Sequence, residues 1–179
     1  MENPKGKRFV TVTELPTAKA SREQLSRLYT RYKFASEFCK NKTLLEVACG
    51  AGLGLGYLSK YAKKVIGGDI DKDVLRFAQG HYKNREKIKL LLFDAEDLPF
   101  KNESFDVLIF FEAIYYLIFP EKFIEEAYRV LRNNGIIIIC TVNKDWSDFN
   151  PSPYSNKYFS APELFNSVSY THLTLPTKA

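Results

Sequence analysis

Residues Leu44 to Gly54 read LLEVACGAGLG, an apolar run carrying one acid, Glu46, followed by glycines at 50, 52 and 54. The pattern describes a buried strand, a sharp turn and the start of a helix. Glycine lets a turn form without a Cβ clash and lets the backbone approach a ligand closely. A helix beginning there offers unpaired N–H groups and a positive dipole end. At the carboxyl end of a strand this makes a cradle for a nucleotide or a carboxylate. Glu46 precedes the turn, which points away from phosphate and toward a cationic or polar ligand. Glycine-rich turns also occur where close packing alone requires them, so the turn by itself leaves both readings open.

Further acids stand at the ends of later apolar runs. Asp69 closes Lys64–Asp69, about twenty residues after the turn, where an acid can take two ribose hydroxyls. Asp94 and Ala95 follow Ile88–Phe93, with Phe93 and Leu98 beside them to hold a flat ring. Phe111 and Glu112 follow Phe105–Phe110. One acid at a strand end is common in soluble proteins; three in successive units form a stronger signal than the turn. A dinucleotide fingerprint, G-x-G-x-x-G, is not met, because its third glycine falls on Leu55 or Tyr57.

The elements that must position these residues alternate. A capping box, Ser21 to Gln24, opens a helix whose apolar residues recur at helical spacing through Lys40. The strand Thr43–Ala48 and a helix over Gly54–Ala62 follow, then Lys64–Asp69, a helix over Asp73–Tyr82, and Ile88–Phe93. Phe105–Phe110 is nearly all apolar, as expected of a strand covered on both faces. A helix from Pro120 to Leu131 is broken at Asn133–Gly135, and Ile136–Val142 is a fifth strand. Strands and helices joined by short links predict an α/β fold with a doubly wound, mostly parallel sheet.

The segments VIGGDID (65–71), LFDAEDLPF (92–100), SFDVLI (104–109) and VLRNNGII (130–137), in order behind the Glu46–Gly54 turn, resemble the successive motifs of class I S-adenosylmethionine (SAM)-dependent methyltransferases. The resemblance covers roughly residues 25–145. Ala48 stands where that family usually has its first glycine, and Asn134 where it often has proline. It implies a Rossmann-like sheet of seven strands, the last antiparallel, with SAM as cofactor. By position, Glu46, Ala48 and the Gly50 and Gly52 backbone hold the methionine moiety. Asp69 binds the ribose, Asp94 and Ala95 read the adenine edge, and Ile70 and Leu98 sandwich the ring. Phe111 lines the cofactor site, and Glu112 is the candidate base for an acceptor that keeps its proton. Tyr29 and Arg31 on the first helix close over the cofactor carboxylate; Tyr32 falls on the apolar stripe. Tyr115, Tyr116 and the segment Phe149–Tyr154 line the acceptor pocket or pack the core. The implied reaction is methyl transfer to a small molecule, such as a sugar or lipid precursor. The alternatives are an NAD-dependent oxidoreductase and a SAM-binding fragment without turnover.

The 179 residues suit one domain with a sizeable core. The 26 basic and 21 acidic residues leave a formal charge of +5, scattered rather than striped, which indicates no specific nucleic-acid face. Cys39, Cys49 and Cys140 form no C-x-x-C pair, which argues for a reducing compartment and against a metal site. No apolar run is long enough for a membrane span, and a cytoplasmic location is expected. Residues 1–20 read as an arm and 21–167 as the SAM-binding domain. The stretch VSYTHLTLPT (168–177) fits neither a strand nor a helix with a face. It is similar to a translated sequencing-adaptor end, so residues 168–179 are expected to be a non-native tail. The last strands of the sheet are then missing, which leaves Ile136–Val142 as an apolar edge.

Overall fold

Among the described residues, five parallel strands form one sheet. The computed structural model describes residues 13–16 and 19–174. In chain order the elements are α1 (Arg22–Ser36), β1 (Thr43–Val47), α2 (Leu55–Leu58), β2 (Lys64–Asp69), α3 (Lys72–Tyr82), β3 (Ile88–Leu92), β4 (Phe105–Phe111), α4 (Pro120–Val130), β5 (Leu131–Cys140) and α5 (Ala161–Thr174). The sheet order is β3-β2-β1-β4-β5, parallel throughout, so the predicted α/β sheet is present. The order reverses between β1 and β4, and their carboxyl ends define the crevice where ligands bind in such sheets.

Alternation along the central strands sends side chains into two layers. Leu44, Val65, Val107 and Ile109 pack under α1, α2 and α3 against Ala35, Leu55, Leu58, Leu75 and Ala78. Leu45, Val47, Leu108 and Phe110 pack under α4 against Phe123, Ile124, Ala127 and Val130. A register shift between Phe105 and Val107 turns Phe105 onto the α4 face with Leu108 and Phe110. Local caps fix the helix starts. Ser21 and Gln24 bond reciprocally at α1, and Asp71 accepts from the amides of Asp73 and Val74 at α3.

Three boundaries differ from the sequence reading. The helix expected over Gly54–Ala62 holds regular geometry only through Leu55–Leu58, in a stretch where Gly54 and Gly56 lower helix propensity. A helix this short has little dipole, so the cradle does not rest on a helix N-terminus. β5 begins at Leu131, paired with Phe105. Its steady register resumes at Ile136, and Asn134 takes φ 61 in between, so the predicted break interrupts the strand rather than preceding it. The stretch from Val168 is helical through Thr174, continuous with α5, so the boundary expected at Ser167 falls inside a helix. Leu164 and Val168 pack against the α4 layer.

β5 is an edge, as expected, but not a bare one. Phe159, Ser160, Ala161 and Leu164 share a groove with Ile138–Thr141, and Lys144 N–H donates to Phe159 O at 3.2 Å. Ile136 remains 38% exposed. Among the described residues no helix is long and apolar enough to cross a membrane.

Candidate cofactor site

The carboxyl ends of β1, β2, β3 and β4 open into a cavity of about 430 Å³. Nine of the expected site residues line it: Glu46, Ala48, Gly50, Asp69, Ile70, Asp94, Ala95, Phe111 and Glu112. Phe93, Arg31, Tyr32, Tyr115 and Tyr116 line it as well.

The turn after β1 is built from left-handed residues. Ala48 has φ 53, Gly50 φ 56 and Gly52 φ 74. Alanine is held there at a penalty of about 1–2 kcal/mol. A Cβ on Gly50 would lie 2.9 Å from Cγ2 of Thr13, itself a lining residue of the cavity. Gly50 N–H donates to Asp69 Oδ2 at 2.9 Å, and Asp71 N–H to Asp69 Oδ1 at 2.9 Å. Asp69 thus ties the turn to β2. Each of its oxygens still has a lone-pair position for a further donor. Burial raises its pKa, and these amides partly offset that.

Glu46 is 2% exposed. Its Oε1 accepts from the Tyr32 hydroxyl at 2.5 Å, while Oε2 is buried with no hydrogen-bond partner among the described residues. Burial pushes its carboxyl up to about 7 against the pull of Tyr32 and Arg31. Arg31 faces the same cavity. Its guanidinium lies 3.2 Å from Glu112 Oε1 and 3.6 Å from Glu14 Oε2, and its buried Nε is also unpartnered among the described residues. Two residues lining the cavity therefore hold, in turn, a buried carboxylate oxygen and a buried guanidinium N–H without a partner among the described residues. A buried polar atom without a partner is costly, and each such atom calls for one.

Glu112 holds φ 51, an uncommon conformation for a residue with a Cβ. Its N–H donates to Cys140 O at 2.8 Å, and the Tyr115 hydroxyl lies 3.4 Å from its Oε2. Tyr115 stacks on Tyr158 with ring centroids 5.2 Å apart, and burial raises its pKa, so the phenol stays protonated. Asp94 Oδ1 accepts from Glu96 N–H at 3.0 Å.

Several expectations are corrected. Gly52 does not reach the cavity; a Cβ there would meet Ala78 at 2.9 Å and Tyr82 at 3.1 Å, so it is a packing glycine against α3. Tyr29 is 56% exposed and packs edge-on against Tyr57, outside the cavity. Two and three residues farther along α1, Arg31 and Tyr32 line the cavity instead. Leu98 is buried but does not line the cavity, where Phe93 stands. The segment Phe149–Tyr154 stays away from the cavity, which Val142 lines on that side, and Phe149 packs against Tyr158. Thr13 and Glu14, read as part of a loose arm, contribute to the wall. Nothing in their sequence signals this, because the contact is long-range.

Residues 45–139 match the family described as methyltransferase domain, just over half of the chain. This chain belongs to that methyltransferase domain family. A protein of Mycolicibacterium smegmatis named as a probable SAM-dependent methyltransferase is 27% identical over 139 residues, covering 74% of this chain and 52% of its own. A ubiquinone biosynthesis O-methyltransferase of Hydrogenovibrio crunogenus is 29% identical over 149 residues, covering 79% of this chain and 60% of its own. The chain spans about half the length of the first curated relatives it matches. Two solved structures share the fold of this methyltransferase domain. A SAM-dependent methyltransferase from Aquifex aeolicus aligns with TM-score 0.69 at 23% identity, covering 86% of this chain and 88% of its own. The [4+2]-cyclase SpnF aligns with TM-score 0.74 at 20% identity, covering 88% and 61%. The second shows that this fold is not confined to methylation, so function must be argued from the site.

Proposed function

We propose that this domain binds SAM and transfers its methyl group to a small-molecule acceptor. The observation that carries the reading is that Glu46 and Arg31, which carry opposite charges and each hold a buried polar atom without a partner among the described residues, belong to the lining of one cavity. They complement an α-amino acid terminus, with the ammonium toward Glu46 and the carboxylate toward Arg31. A dinucleotide has no ammonium, and its pyrophosphate would face the buried acid, which counts against an NAD-dependent oxidoreductase.

The remaining wall suits an adenosine. Asp69 takes the ribose hydroxyls, Asp94 and the Ala95 backbone meet the base edge, and Ile70 and Phe93 hold its faces, with Phe111 and the Ala48 turn beside the methionine chain. When bound, SAM supplies an activated methyl group on a sulfonium, so the protein's task is alignment and exclusion of water. Arg31 and Glu112 orient each other, and Glu112 takes a proton only from an acceptor that still carries one at the reacting atom. Tyr115 and Tyr116 offer flat apolar surface to the acceptor. The names of two relatives, one for ubiquinone biosynthesis and one for phthiotriol/phenolphthiotriol dimycocerosates, favour a lipid precursor over a sugar. Residues 21–167 form the body of the binding domain in this reading, with Thr13 and Glu14 of the preceding segment on the cavity wall. A fragment that binds SAM without turnover is the second reading, favoured by the chain's partial coverage of its relatives.

The test is calorimetric titration with S-adenosylhomocysteine. The wild-type protein should bind, and Asp69→Ala should weaken binding by about 1.5–3 kcal/mol, the range for hydrogen bonds to a charged group. Unchanged affinity in that variant removes Asp69 from the site. Methyl transfer from labelled SAM to a panel of lipid precursors then separates turnover from binding alone.

A further inference from the structure

The base-reading segment Asp94–Ala95 lies in the connection between β3 and β4, residues 93–104, and a loop by itself does not hold two hydrogen-bonding groups in register. Its fastening comes from α4, on the far side from the cavity. All five N–H donors of the Arg129 guanidinium are engaged. Nε and one Nη2 hydrogen reach Glu126, at 2.7 and 2.6 Å. The other Nη2 hydrogen reaches Leu98 O at 2.9 Å, and Nη1 reaches Phe100 O at 2.7 Å and Asn102 Oδ1 at 3.0 Å. Glu126 Oε2 in turn accepts Leu98 N–H at 2.8 Å. Both backbone groups of Leu98 are thus held by one ion pair, three residues past Ala95.

The other side of the loop is held too. Glu96 Oε1 accepts the amides of Ile118 and Phe119, at 2.8 and 3.1 Å, just before α4. Phe100 sits edge-on between Phe93, which lines the cavity, and Phe105 on β4, at 5.4 and 4.9 Å between ring centroids. The loop is therefore pinned at Glu96, Leu98 and Phe100, leaving Asp94 and Ala95 directed at the cavity.

We infer that Arg129, with Glu126, is a positioning residue that sets base selectivity by fixing the Asp94–Ala95 loop from behind, without touching the ligand. The inference rests on the proposed cofactor reading for its ligand, but not for the clamp. Lysine cannot replace the arginine, because a single ammonium does not span Leu98 O, Phe100 O and Asn102 in one plane.

The test compares wild type, Arg129→Lys and Arg129→Met by two readouts. The first is amide hydrogen exchange of the ligand-free protein. Exchange across 94–98 should rise about tenfold or more in both variants, as expected when a local opening free energy falls by the strength of a charged hydrogen bond, while amides of 107–110 stay protected. The second is the affinity ratio between S-adenosylhomocysteine and S-inosylhomocysteine, which differ only at the base edge. Wild type should prefer the adenosyl ligand, and the ratio should fall toward one in the variants. A purely structural loss would weaken both ligands alike. Wild-type exchange across 94–98 in a folded variant, an unchanged ratio, or collapse of both variants to an unfolded chain overturns the inference. Failure of wild type to bind S-adenosylhomocysteine overturns the cofactor reading instead, and the exchange data still judge the clamp.

Discussion

Gly50→Val is expected to abolish cofactor binding, at least about 100-fold or ~2.7 kcal/mol, while the domain stays folded. Gly50 sits at φ 56, where a β-branched residue is strongly disfavoured. Its Cβ would lie 2.9 Å from Thr13 Cγ2 and 3.9 Å from Val74 Cγ1, so a valine crowds Thr13 on the cavity wall. Relaxing φ would pull Gly50 N–H from Asp69, at present 2.9 Å away, and so release the acid assigned to the ribose. Residue 50 is on a turn outside the two core layers, so the strands and helices keep their packing, at a penalty of about 1–3 kcal/mol for the strained position. Circular dichroism checks the fold and calorimetry the binding. Normal affinity in a folded variant would show that the turn does not meet the ligand.

The second large effect is a pH dependence set by Glu46. Burial raises its folded-state pKa from an ordinary 4.5 to about 7. A carboxyl whose pKa is raised on folding contributes stability that is complete below its unfolded value and is lost as pH rises through the folded value. The ligand-free protein should therefore lose thermal stability as pH rises from 4.5 to about 7, the window between those two values. Binding has the opposite sign. A ligand ammonium favours the ionised carboxylate, so S-adenosylhomocysteine should bind more tightly as pH rises through about 7, with release of a proton. Glu46→Gln keeps an acceptor for the Tyr32 hydroxyl and removes the titration. It should flatten the stability profile and weaken binding at alkaline pH by roughly 10–100-fold, about 1.5–3 kcal/mol. Melting midpoints and titrations across the pH range measure both; a variant that binds like wild type at pH 8 would remove Glu46 from ligand recognition.

The sheet and most of the cavity wall were legible because their signals are local. An apolar run ending in an acid gives a strand and its exit residue together; Asp69, Asp94 and Glu112 each follow that rule onto one edge, where Glu46, inside β1, joins them. The caps at Ser21 and Asp71, and Pro120 in the first turn of α4, are likewise set by near neighbours. What failed depends on tertiary packing. Gly52 looks like Gly50 in sequence, but one meets α3 and the other the cavity. Tyr29 and Arg31 are two residues apart on α1, and rotation about the helix axis puts only Arg31 inside. Thr13, Glu14 and the Arg129 network join segments far apart in the chain, so no local pattern announces them. The helical stretch of α5 beyond Ser167 carries a weakly patterned sequence, and it continues a helix begun at Ala161.

The central claim is that this cavity recognises an adenosine joined to an amino acid zwitterion. The most direct measurement is a parallel titration of the wild-type protein with S-adenosylhomocysteine, 5′-methylthioadenosine and NADH at pH 8. Methylthioadenosine keeps the adenosine and the sulfur but lacks the ammonium and the carboxylate. The expected result is saturable binding of S-adenosylhomocysteine, binding of methylthioadenosine weaker by about 100-fold or more for the loss of two charged partners, and no displacement by NADH. Equal affinity for the first two ligands, or competitive binding by NADH, would contradict it.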